Sequence, residues 1–313
     1  MPRHPIDISV PDLTGQRIVL TGGSDGMGLV IATRLASAGA ELILPVRNPQ
    51  KGETALHTIR EHAPGANVSL RALDLASLAS VAALGETLRG EGAPIHRFIG
   101  NAGVMTPPTR QTTADGFELQ FGTNHLGHAA LIGHLMPLLR AGSARVTLQL
   151  SLAADQGAVN WDDPNWARSY DGMAAYRHSK IAYGLFGLEL DRRSRAGDWG
   201  ITVTLPHPGI APTNLLAVRP EMGRTRAVPL RRVVSVLSRI GIMGTVASAG
   251  LPALLAATAP DAQGGTLYGP SGLGGLGGRP AQRELFSRLR SPEDAARMWE
   301  LTQQLTKVPL PTA

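Results

Sequence analysis

The stretch Arg17-Ile-Val-Leu-Thr-Gly-Gly-Ser-Asp-Gly-Met-Gly28 decides the fold of this chain. It begins with β-type residues, and its glycine-rich part opens a helical pattern over about 27–38. At such a strand–turn–helix junction, backbone N–H groups and the helix dipole point at one spot that attracts pyrophosphate. Gly22 permits the tight turn, Gly26 lets a dinucleotide approach the backbone, and Gly28 lets helix and strand pack closely. The stretch therefore predicts a dinucleotide-binding turn.

The rest of the chain alternates short β-type runs with longer helical patterns. The predicted strands are Arg17–Leu20, Glu41–Val46, Val68–Leu73, Ile95–Ile99, Arg145–Leu150, Ile201–Leu205 and a short Thr266–Tyr268. The main predicted helices are about 27–38, 49–62, 78–88, 116–139, 173–195 and 292–305. This alternation is typical of parallel βαβ units, so we predict an α/β fold.

Neither a repeat nor a domain-scale linker interrupts this pattern, so we predict one domain over 1–313, with a core at about 13–214 and 261–305. Residues 215–260 are predicted to form a mostly helical substrate lobe inserted between the last two strands. Leu152–Gly172 is a long loop, and such loops in compact domains are often functional. Its tryptophans, Trp161 and Trp166, either line an apolar pocket or pack the loop down.

Composition excludes several classes of protein. A chain of 313 residues that is 43% hydrophobic and 17% charged is expected to fold around a large core. Zero cysteines exclude disulfides and thiolate metal sites and suit a reducing cytoplasm; we expect no metal. The net charge of +6 comes from scattered arginines, so we expect no nucleic-acid partner. The chain has no apolar run of bilayer length and no signal-like start, so membrane contact is not expected.

A tyrosine and a lysine lie four residues apart in Tyr176-Arg-His-Ser-Lys180. Residues at this spacing share one face of a helix, so the phenol and the ammonium project into the same space. A free phenol is too weak an acid to exchange protons easily at neutral pH, and we expect the ammonium to lower its pKa. Tyr176 could then protonate an alkoxide as a carbonyl is reduced, and Lys180 could also bind a nicotinamide ribose.

Two further polar residues are candidates for the same site. Ser151 follows the fifth predicted strand, at the edge where open α/β sheets bind ligands, and its hydroxyl could hold a carbonyl oxygen. Asn124 lies inside an otherwise core-like helix, where amides are disfavoured. It is either an internally satisfied amide or a kink that holds a water on the proton path to Lys180.

The end of the second predicted strand bears on cofactor choice. An acidic residue there selects NAD, whereas a cation accommodates the 2′-phosphate of NADP. The strand ends Leu44-Pro-Val-Arg-Asn48, which places Arg47 at the diagnostic position, and Ser24 can add a hydroxyl. Because arginine matches phosphate bidentately, we predict a preference for NADP(H) over NAD(H).

Taken together, these motifs resemble the short-chain dehydrogenase/reductase family from about Leu13 to at least Thr213. The resemblance implies a Rossmann-type, doubly wound, mostly seven-stranded parallel sheet with helices on both faces. It also implies a catalytic set made of Asn124, Ser151, Tyr176 and Lys180. Further, Asp74 would contact the adenine region, 101–103 would back the cofactor, and Ile210 and Thr213 would touch the carboxamide or the phosphates. The full expected cofactor set is Gly22, Ser24, Asp25, Gly26, Met27, Gly28, Arg47, Asp74, Leu75, Asn101, Ala102, Gly103, Tyr176, Lys180, Pro208, Gly209, Ile210 and Thr213.

Within the family, three segments resemble the retinol-dehydrogenase-like and protochlorophyllide-reductase-like branch. They are Val46-Arg-Asn-Pro49, Asn124-His-Leu-Gly-His128 and His207-Pro-Gly209. Leu150 departs from the pattern, since relatives often carry a second serine there. The resemblance predicts an oxidoreductase that interconverts a carbonyl and a primary or secondary alcohol, with NADP(H) as the cofactor because of Arg47. A lid at 215–260 would suit a bulky apolar substrate.

Several alternatives stay open. The insertion at 215–260 carries Arg224, Arg226, Arg231, Arg232 and Arg239 beside an aliphatic face, so it is a lid, a basic helix on anionic membrane, or ordinary packing. The chain is alternatively a catalytically silent cofactor-sensing regulator, or an epimerase or dehydratase with a transient keto intermediate. Family resemblance further implies a homodimer or homotetramer formed through the helices at 116–139 and 173–195.

Overall fold

The computed structural model describes residues 6–211, 223, 237–238 and 243–311. In this part of the chain the strands form one sheet in the order β3-β2-β1-β4-β5-β6-β7-β8, parallel except for the last pair. The strands are β1 Arg17–Thr21, β2 Glu41–Val46, β3 Val68–Ala72, β4 Arg97–Gly100, β5 Arg145–Leu148, β6 Thr202–Pro206, β7 Thr266–Pro270 and β8 Pro280–Arg283. The predicted doubly wound, mostly parallel fold is confirmed. The additional antiparallel edge strand β8 was not predicted because its sequence lacks apolar residues in alternation.

Helices cover both faces of the sheet. They are α1 Gly26–Ser37, α2 Pro49–His62, α3 Leu78–Glu91, α4 Leu119–Phe121, α5 Gly127–Ala141, α6 Gly172–Ala196, α7 Val246–Ala249, α8 Leu251–Thr258 and α9 Pro292–Thr306. Short 3₁₀ turns occur at Leu152–Asp155, Leu273–Gly275 and Ser287–Leu289. One apolar cluster packs α1 and α8 on one face, and a larger one packs α3, α5, α6 and α9 on the other. The sheet is thus buried on both sides, as parallel sheets require.

The long helix predicted over 116–139 is present from Leu119 to Ala141, but a π-helical turn lies within it. Short α4 leads into a π-helical turn over Gly122–Leu126, and α5 starts only at Gly127. Close packing explains the glycines at both ends of this turn. A Cβ on Gly122 would lie 2.4 Å from Cγ2 of Thr113, and one on Gly127 would lie 2.3 Å from the carbonyl oxygen of Leu75. Single π turns of this kind often mark functional sites.

The C-terminal helix α9 packs across α5 and α6. Trp299 is fully buried and stacks on Phe186 with ring centroids 5.2 Å apart, and the Arg193 guanidinium lies 4.9 Å from the Trp299 ring. Beyond α9, Val308 and Leu310 pack against Gly133 of α5. Part of the helical face that family resemblance assigned to subunit contacts is therefore covered by the chain itself. The homodimer or homotetramer stays a prediction.

Replacing Trp299 by Ala should lower the free energy of unfolding by about 3–5 kcal/mol, because it empties a large buried volume. Urea titration followed by circular dichroism measures this loss. Trp299→Phe keeps the ring against Phe186 and should lose clearly less. A loss below about 1 kcal/mol for Trp299→Ala would show that α9 contributes little to the core.

Part of the predicted substrate lobe lies outside the described residues. This applies to Thr213 and to all five arginines of the insertion, so the lid, membrane and packing alternatives stay predictions. The described end of the insertion contains α7 and α8. Among the described residues, no helix is long and apolar enough to cross a bilayer, and no His, Asp and Glu side chains cluster as metal ligands would.

Candidate active site

A cleft of about 870 Å³ opens at the carboxyl ends of the parallel strands. It is lined by nearly all of the predicted site residues that the structure describes, namely Gly22, Ser24, Asp25, Gly26, Met27, Gly28, Arg47, Asp74, Leu75, Asn101, Ala102, Gly103, Ser151, Tyr176, Lys180, Pro208, Gly209 and Ile210. Asn124 lies one layer behind the wall, and Thr213 lies outside the described residues. The structure thus brings together groups from six strand ends, β1 to β6, at the edge where open α/β sheets bind ligands.

The glycine-rich turn shapes one end of the cleft. Gly22 and Gly26 have φ of 66° and 51°, in the left-handed region that favours glycine. A Cβ on Gly28 would lie 1.9 Å from the carbonyl oxygen of Gly22, so a side chain there would force α1 away from β1. A Cβ on Gly26 would meet nothing within 4 Å, so the space above it is open. Open space beside the N-terminus of α1 fits the pyrophosphate of a dinucleotide.

Threonine and asparagine side chains hold this end of the cleft in place. The Thr21 hydroxyl accepts hydrogen bonds from the backbone N–H groups of Asn101 and Ala102, both at 3.0 Å. The Asn101 amide donates to the carbonyl oxygens of Thr21 and Gly22, both at 3.1 Å. The ends of β1 and β4 are therefore joined through side chains as well as through the sheet. This explains why the Asn101-Ala102-Gly103 segment forms the floor of the cleft.

At the end of β2, the cleft is lined by Ser24, Arg47, Asn48 and Lys51. Arg47 and Lys51 are exposed cations in the segment where β2 leads into α2. The Asn48 side chain caps α2 by accepting from the backbone N–H of Lys51 at 3.0 Å. Lys51 was missed in the sequence analysis. Its position four residues after Arg47, in the first turn of a helix begun by Asn48-Pro49, was the signal that could have identified it.

Helix α6 carries the Tyr176 and Lys180 side chains into the opposite end of the cleft. Asp171 caps the helix by accepting from the backbone N–H groups of Met173 and Ala174, which fixes its first turn. Tyr176 and Lys180 each retain 4% of their exposure. The Lys180 ammonium donates to the carbonyl oxygen of Gln149 at 2.8 Å, next to the end of β5.

Burial controls the proton affinities of this pair. It raises the pKa of Tyr176 above its usual value, while a hydrogen bond with the Ser151 hydroxyl acts in the opposite direction. Burial also lowers the pKa of Lys180 to about 8. The expectation that Lys180 lowers the pKa of Tyr176 is therefore wrong for this structure, because desolvation outweighs the other causes. At neutral pH Tyr176 is a protonated phenol, suited to donate a proton.

Asn124 lies in the π-helical turn, and its side chain is fully hydrogen-bonded. Its Oδ1 accepts from the backbone N–H of Val104 at 2.8 Å, and its Nδ2 donates to the carbonyl oxygen of Val104 and to the Ser179 hydroxyl, both at 3.0 Å. The amide is satisfied within the protein, as one alternative for Asn124 expects, and the water on the proton path to Lys180 stays a prediction. The direct role of Asn124 is to hold the segment after Gly103 beside Lys180.

The wall beyond Tyr176 is apolar. Met105, Leu152, Ala153 and Met173 line it, and two of these are flexible thioethers that adapt to ligand shape. The two loop tryptophans are not among the lining residues. The Arg297 guanidinium lies over the Trp161 ring, 4.2 Å from the ring centroid. The Trp166 and His178 rings meet edge to face, with centroids 6.2 Å apart. The loop tryptophans pack the loop down rather than line the pocket.

Fold and cleft together define a class of protein: a doubly wound α/β chain with a glycine turn at β1 and a buried Tyr–Lys pair on α6. Residues 16–223 match the family model described as short chain dehydrogenase. The chain belongs to the short-chain dehydrogenase family. The expected resemblance to its retinol-dehydrogenase-like branch is confirmed by the relatives described next.

Retinol dehydrogenase 13 of Homo sapiens is 41% identical over 205 residues, which cover 65% of this chain and 61% of that protein's length. Retinol dehydrogenase 14 of Mus musculus is 31% identical over 308 residues, covering 94% of this chain and 86% of that protein. A solved structure of an uncharacterized protein from Mycobacterium Paratuberculosis superposes with a TM-score of 0.77 at 32% identity, covering 96% of this chain and 97% of that one.

Proposed function

We propose that this chain is an NADP(H)-dependent oxidoreductase that interconverts a carbonyl and a primary or secondary alcohol, with Tyr176 as the acid and base. The observation that carries the proposal is that buried Tyr176 and Lys180 line the same cleft as half-buried Ser151 and the glycine turn. The turn fits a dinucleotide, and the phenol supplies the proton that accompanies a hydride. Neither half is sufficient alone.

The residues around the cleft divide the work of holding the cofactor. The N-terminus of α1 would bind the pyrophosphate, Asp74 and Leu75 the adenine region, and 101–103 and 208–210 the nicotinamide half. When bound, NADPH supplies the hydride that reduces the carbonyl carbon. The chain itself orients the carbonyl: the Ser151 hydroxyl donates a hydrogen bond to the carbonyl oxygen as negative charge develops there.

Tyr176 completes the reduction by giving its phenolic proton to the alkoxide oxygen. Lys180, one helical turn away, returns a proton to the phenolate, and solvent restores the lysine. In the oxidative direction each proton moves the opposite way. Burial of the pair keeps these transfers away from bulk water, which strengthens the electrostatic interactions between them.

Cofactor preference is proposed from the end of β2. Arg47, Lys51 and the Ser24 hydroxyl lie together there, and none of the described residues that line this end of the cleft is acidic except Asp25 and Asp74, which follow other strands. Two cations and a hydroxyl suit a 2′-phosphate, which carries negative charge and several acceptor oxygens. The proposed cofactor is therefore NADP(H).

The substrate is proposed to be a bulky apolar aldehyde, ketone or alcohol. The apolar wall of Met105, Leu152 and Met173 supports this, and so does the similarity to proteins named retinol dehydrogenases. The test is a screen of NADPH oxidation against all-trans-retinal, straight-chain aldehydes, ketones and polycyclic quinones, with NADP⁺-dependent alcohol oxidation in parallel. We expect turnover that rises with the apolar size of the carbonyl compound.

Two outcomes of this screen would indicate one of the alternative functions instead of a reductase. NADPH binding without turnover of any carbonyl would indicate a silent, cofactor-sensing protein. Conversion of a sugar nucleotide without net change in NADPH would indicate an epimerase or dehydratase. The complete Ser151–Tyr176–Lys180 set supports the simple reductase instead.

The lowered pKa of Lys180 predicts the pH dependence of reduction. Since kcat/KM reports the free protein, its value for reduction should fall above pH about 8, as Lys180 loses the proton that it returns to Tyr176. The expected slope is about tenfold per pH unit. A pH–rate profile with NADPH measures it, and Lys180→Met should show low activity with no such limb. A wild-type profile that stays flat far above this pH would contradict the role given to Lys180.

A further inference from the structure

His128 is a buried histidine that the proposed reaction does not use. It lies in the first turn of α5, directly after the π-helical turn, and is fully buried. Its Nε2 lies 2.9 Å from the Thr21 hydroxyl oxygen, and its Nδ1 lies 3.1 Å from the carbonyl oxygen of Asn124. The imidazole thus connects the end of β1, on the dinucleotide side, with the turn that carries Asn124.

The hydrogen bonds around Thr21 determine which nitrogen of His128 carries the hydrogen. A hydroxyl has one hydrogen to donate and two lone pairs that accept. Both acceptor sites of Thr21 are used by the N–H groups of Asn101 and Ala102. Its hydrogen must therefore be donated to Nε2 of His128, which leaves that nitrogen unprotonated. The hydrogen of a neutral imidazole is then on Nδ1, where it is donated to the carbonyl oxygen of Asn124.

The surroundings of His128 favour this neutral form. Burial and the nearby Lys180 ammonium lower its pKa to about 3. The Tyr183 ring lies beside it, with centroids 5.1 Å apart, and offers no carboxylate that would stabilise an imidazolium. The imidazole therefore has one acceptor, directed at the Thr21 hydroxyl, and one donor, directed at the backbone of the Asn124 turn, where Thr123 also contributes a hydrogen bond.

We propose that His128 is a positioning residue that acts at both ends of the cleft: its Nε2 orients Thr21 under the cofactor floor, and its Nδ1–H orients the turn of Asn124 beside Lys180. On the first side, Thr21 holds the backbone of Asn101 and Ala102. On the second side, the Asn124 amide holds both backbone polar groups of Val104 and the Ser179 hydroxyl. One imidazole thus fixes the position of the Asn101–Gly103 segment relative to the turn of Asn124 beside Lys180.

Two substitutions separate the two functions of the ring. In His128→Asn the amide nitrogen lies close to the position of Nδ1, so the bond to Asn124 is kept and the Thr21 hydroxyl loses its acceptor. In His128→Gln the amide oxygen reaches the position of Nε2, so the bond from Thr21 is kept and the Asn124 carbonyl loses its donor. The readouts are the Kd of NADP⁺ by calorimetry and amide hydrogen exchange over residues 122–128.

We expect each substitution to change one of the two readouts and to leave the other unchanged. His128→Asn should raise the Kd of NADP⁺ about tenfold, the effect of one unsatisfied buried hydroxyl, with exchange over 122–128 unchanged. His128→Gln should speed that exchange about tenfold and leave the Kd unchanged. His125→Gln serves as the matched control. His125 lies in the same turn, and its Nε2 bonds the Thr302 hydroxyl of α9. A Gln amide reaches the position of Nε2 and keeps this bond, so the variant should move neither readout.

Equal changes of both readouts in the two variants would show a merely structural histidine and overturn the proposal, as would no change in either variant. If the His128 variants do not fold, Thr21→Val decides. It removes the hydroxyl at nearly constant shape, and the proposal requires the Kd of NADP⁺ to rise, whereas an unchanged Kd overturns it. The inference rests on the proposed function only for the cofactor readout. A wild-type protein that fails to bind NADP⁺ would refute that function. Amide hydrogen exchange over 122–128 would still test whether His128 holds the turn of Asn124.

Discussion

Tyr176→Phe should lower turnover about 10³-fold while leaving the Kd of NADP⁺ nearly unchanged. The substitution removes one oxygen atom and keeps the ring, so the packing of α6 is preserved. What is lost is the only phenol that lines the cleft among the described residues, and with it the proton for the alkoxide. Steady-state rates with the best carbonyl of the screen, together with calorimetric NADP⁺ titration, measure the two quantities separately.

Tyr183→Phe is the matched control for this prediction. Tyr183 lies two turns further along α6, is fully buried, and its hydroxyl meets only the carbonyl oxygen of Gly100 among the hydrogen bonds of the described structure, at 3.4 Å. Its loss should leave turnover within about threefold, since that bond is long and weak. A Tyr176→Phe variant that keeps a tenth or more of wild-type turnover would contradict the assignment of Tyr176.

Arg47→Asp should reverse the choice of cofactor. Removing the guanidinium takes away charge-assisted bonds to the 2′-phosphate, and the carboxylate repels that phosphate and accepts from the ribose hydroxyls of NADH instead. We expect kcat/KM with NADPH to fall about 100-fold, and kcat/KM with NADH to rise about tenfold. The ratio of the two values is the informative quantity, because it cancels general losses of activity.

Lys51→Ala provides a graded comparison. A lysine is a point charge without the planar fork of arginine, so its loss should reduce NADPH use by only about tenfold, without improving NADH use. A wild-type protein that prefers NADH would show that the cations at the end of β2 are ordinary surface residues. An unchanged ratio in Arg47→Asp would show the same.

Much of the fold was predictable from local signals. The glycine turn, the β-type runs and the helical patterns each depend on residues close in sequence, and the structure places β1 to β7 and the long helices near the predicted positions. The edge strand β8 was not predictable, because a short polar segment pairs only when β7 is already in place. Likewise, the π-helical turn between α4 and α5 is packed against the backbone of Leu75, which approaches the helix from a distant part of the chain.

In the candidate site too, some features follow from local sequence and others depend on tertiary contacts. Sequence order brought the glycine turn, Ser151, Tyr176 and Lys180 into one hypothesis, and the structure places them in one cleft. Sequence could not show which force dominates the pKa of Tyr176, because burial is a property of the whole fold. The packing of Trp161 under Arg297 is equally a tertiary contact, between a loop and the distant helix α9.

The central claim is that this cleft moves a hydride between NADP(H) and a carbonyl carbon, with Tyr176 supplying the proton. The most direct measurement uses NADPH deuterated at the transferable C4 position, an apolar aldehyde from the screen, and mass spectrometry of the alcohol. We expect one deuterium on the carbinol carbon with the wild-type protein and almost no alcohol with Tyr176→Phe. An alcohol without deuterium, or equal yields from both proteins, would contradict it.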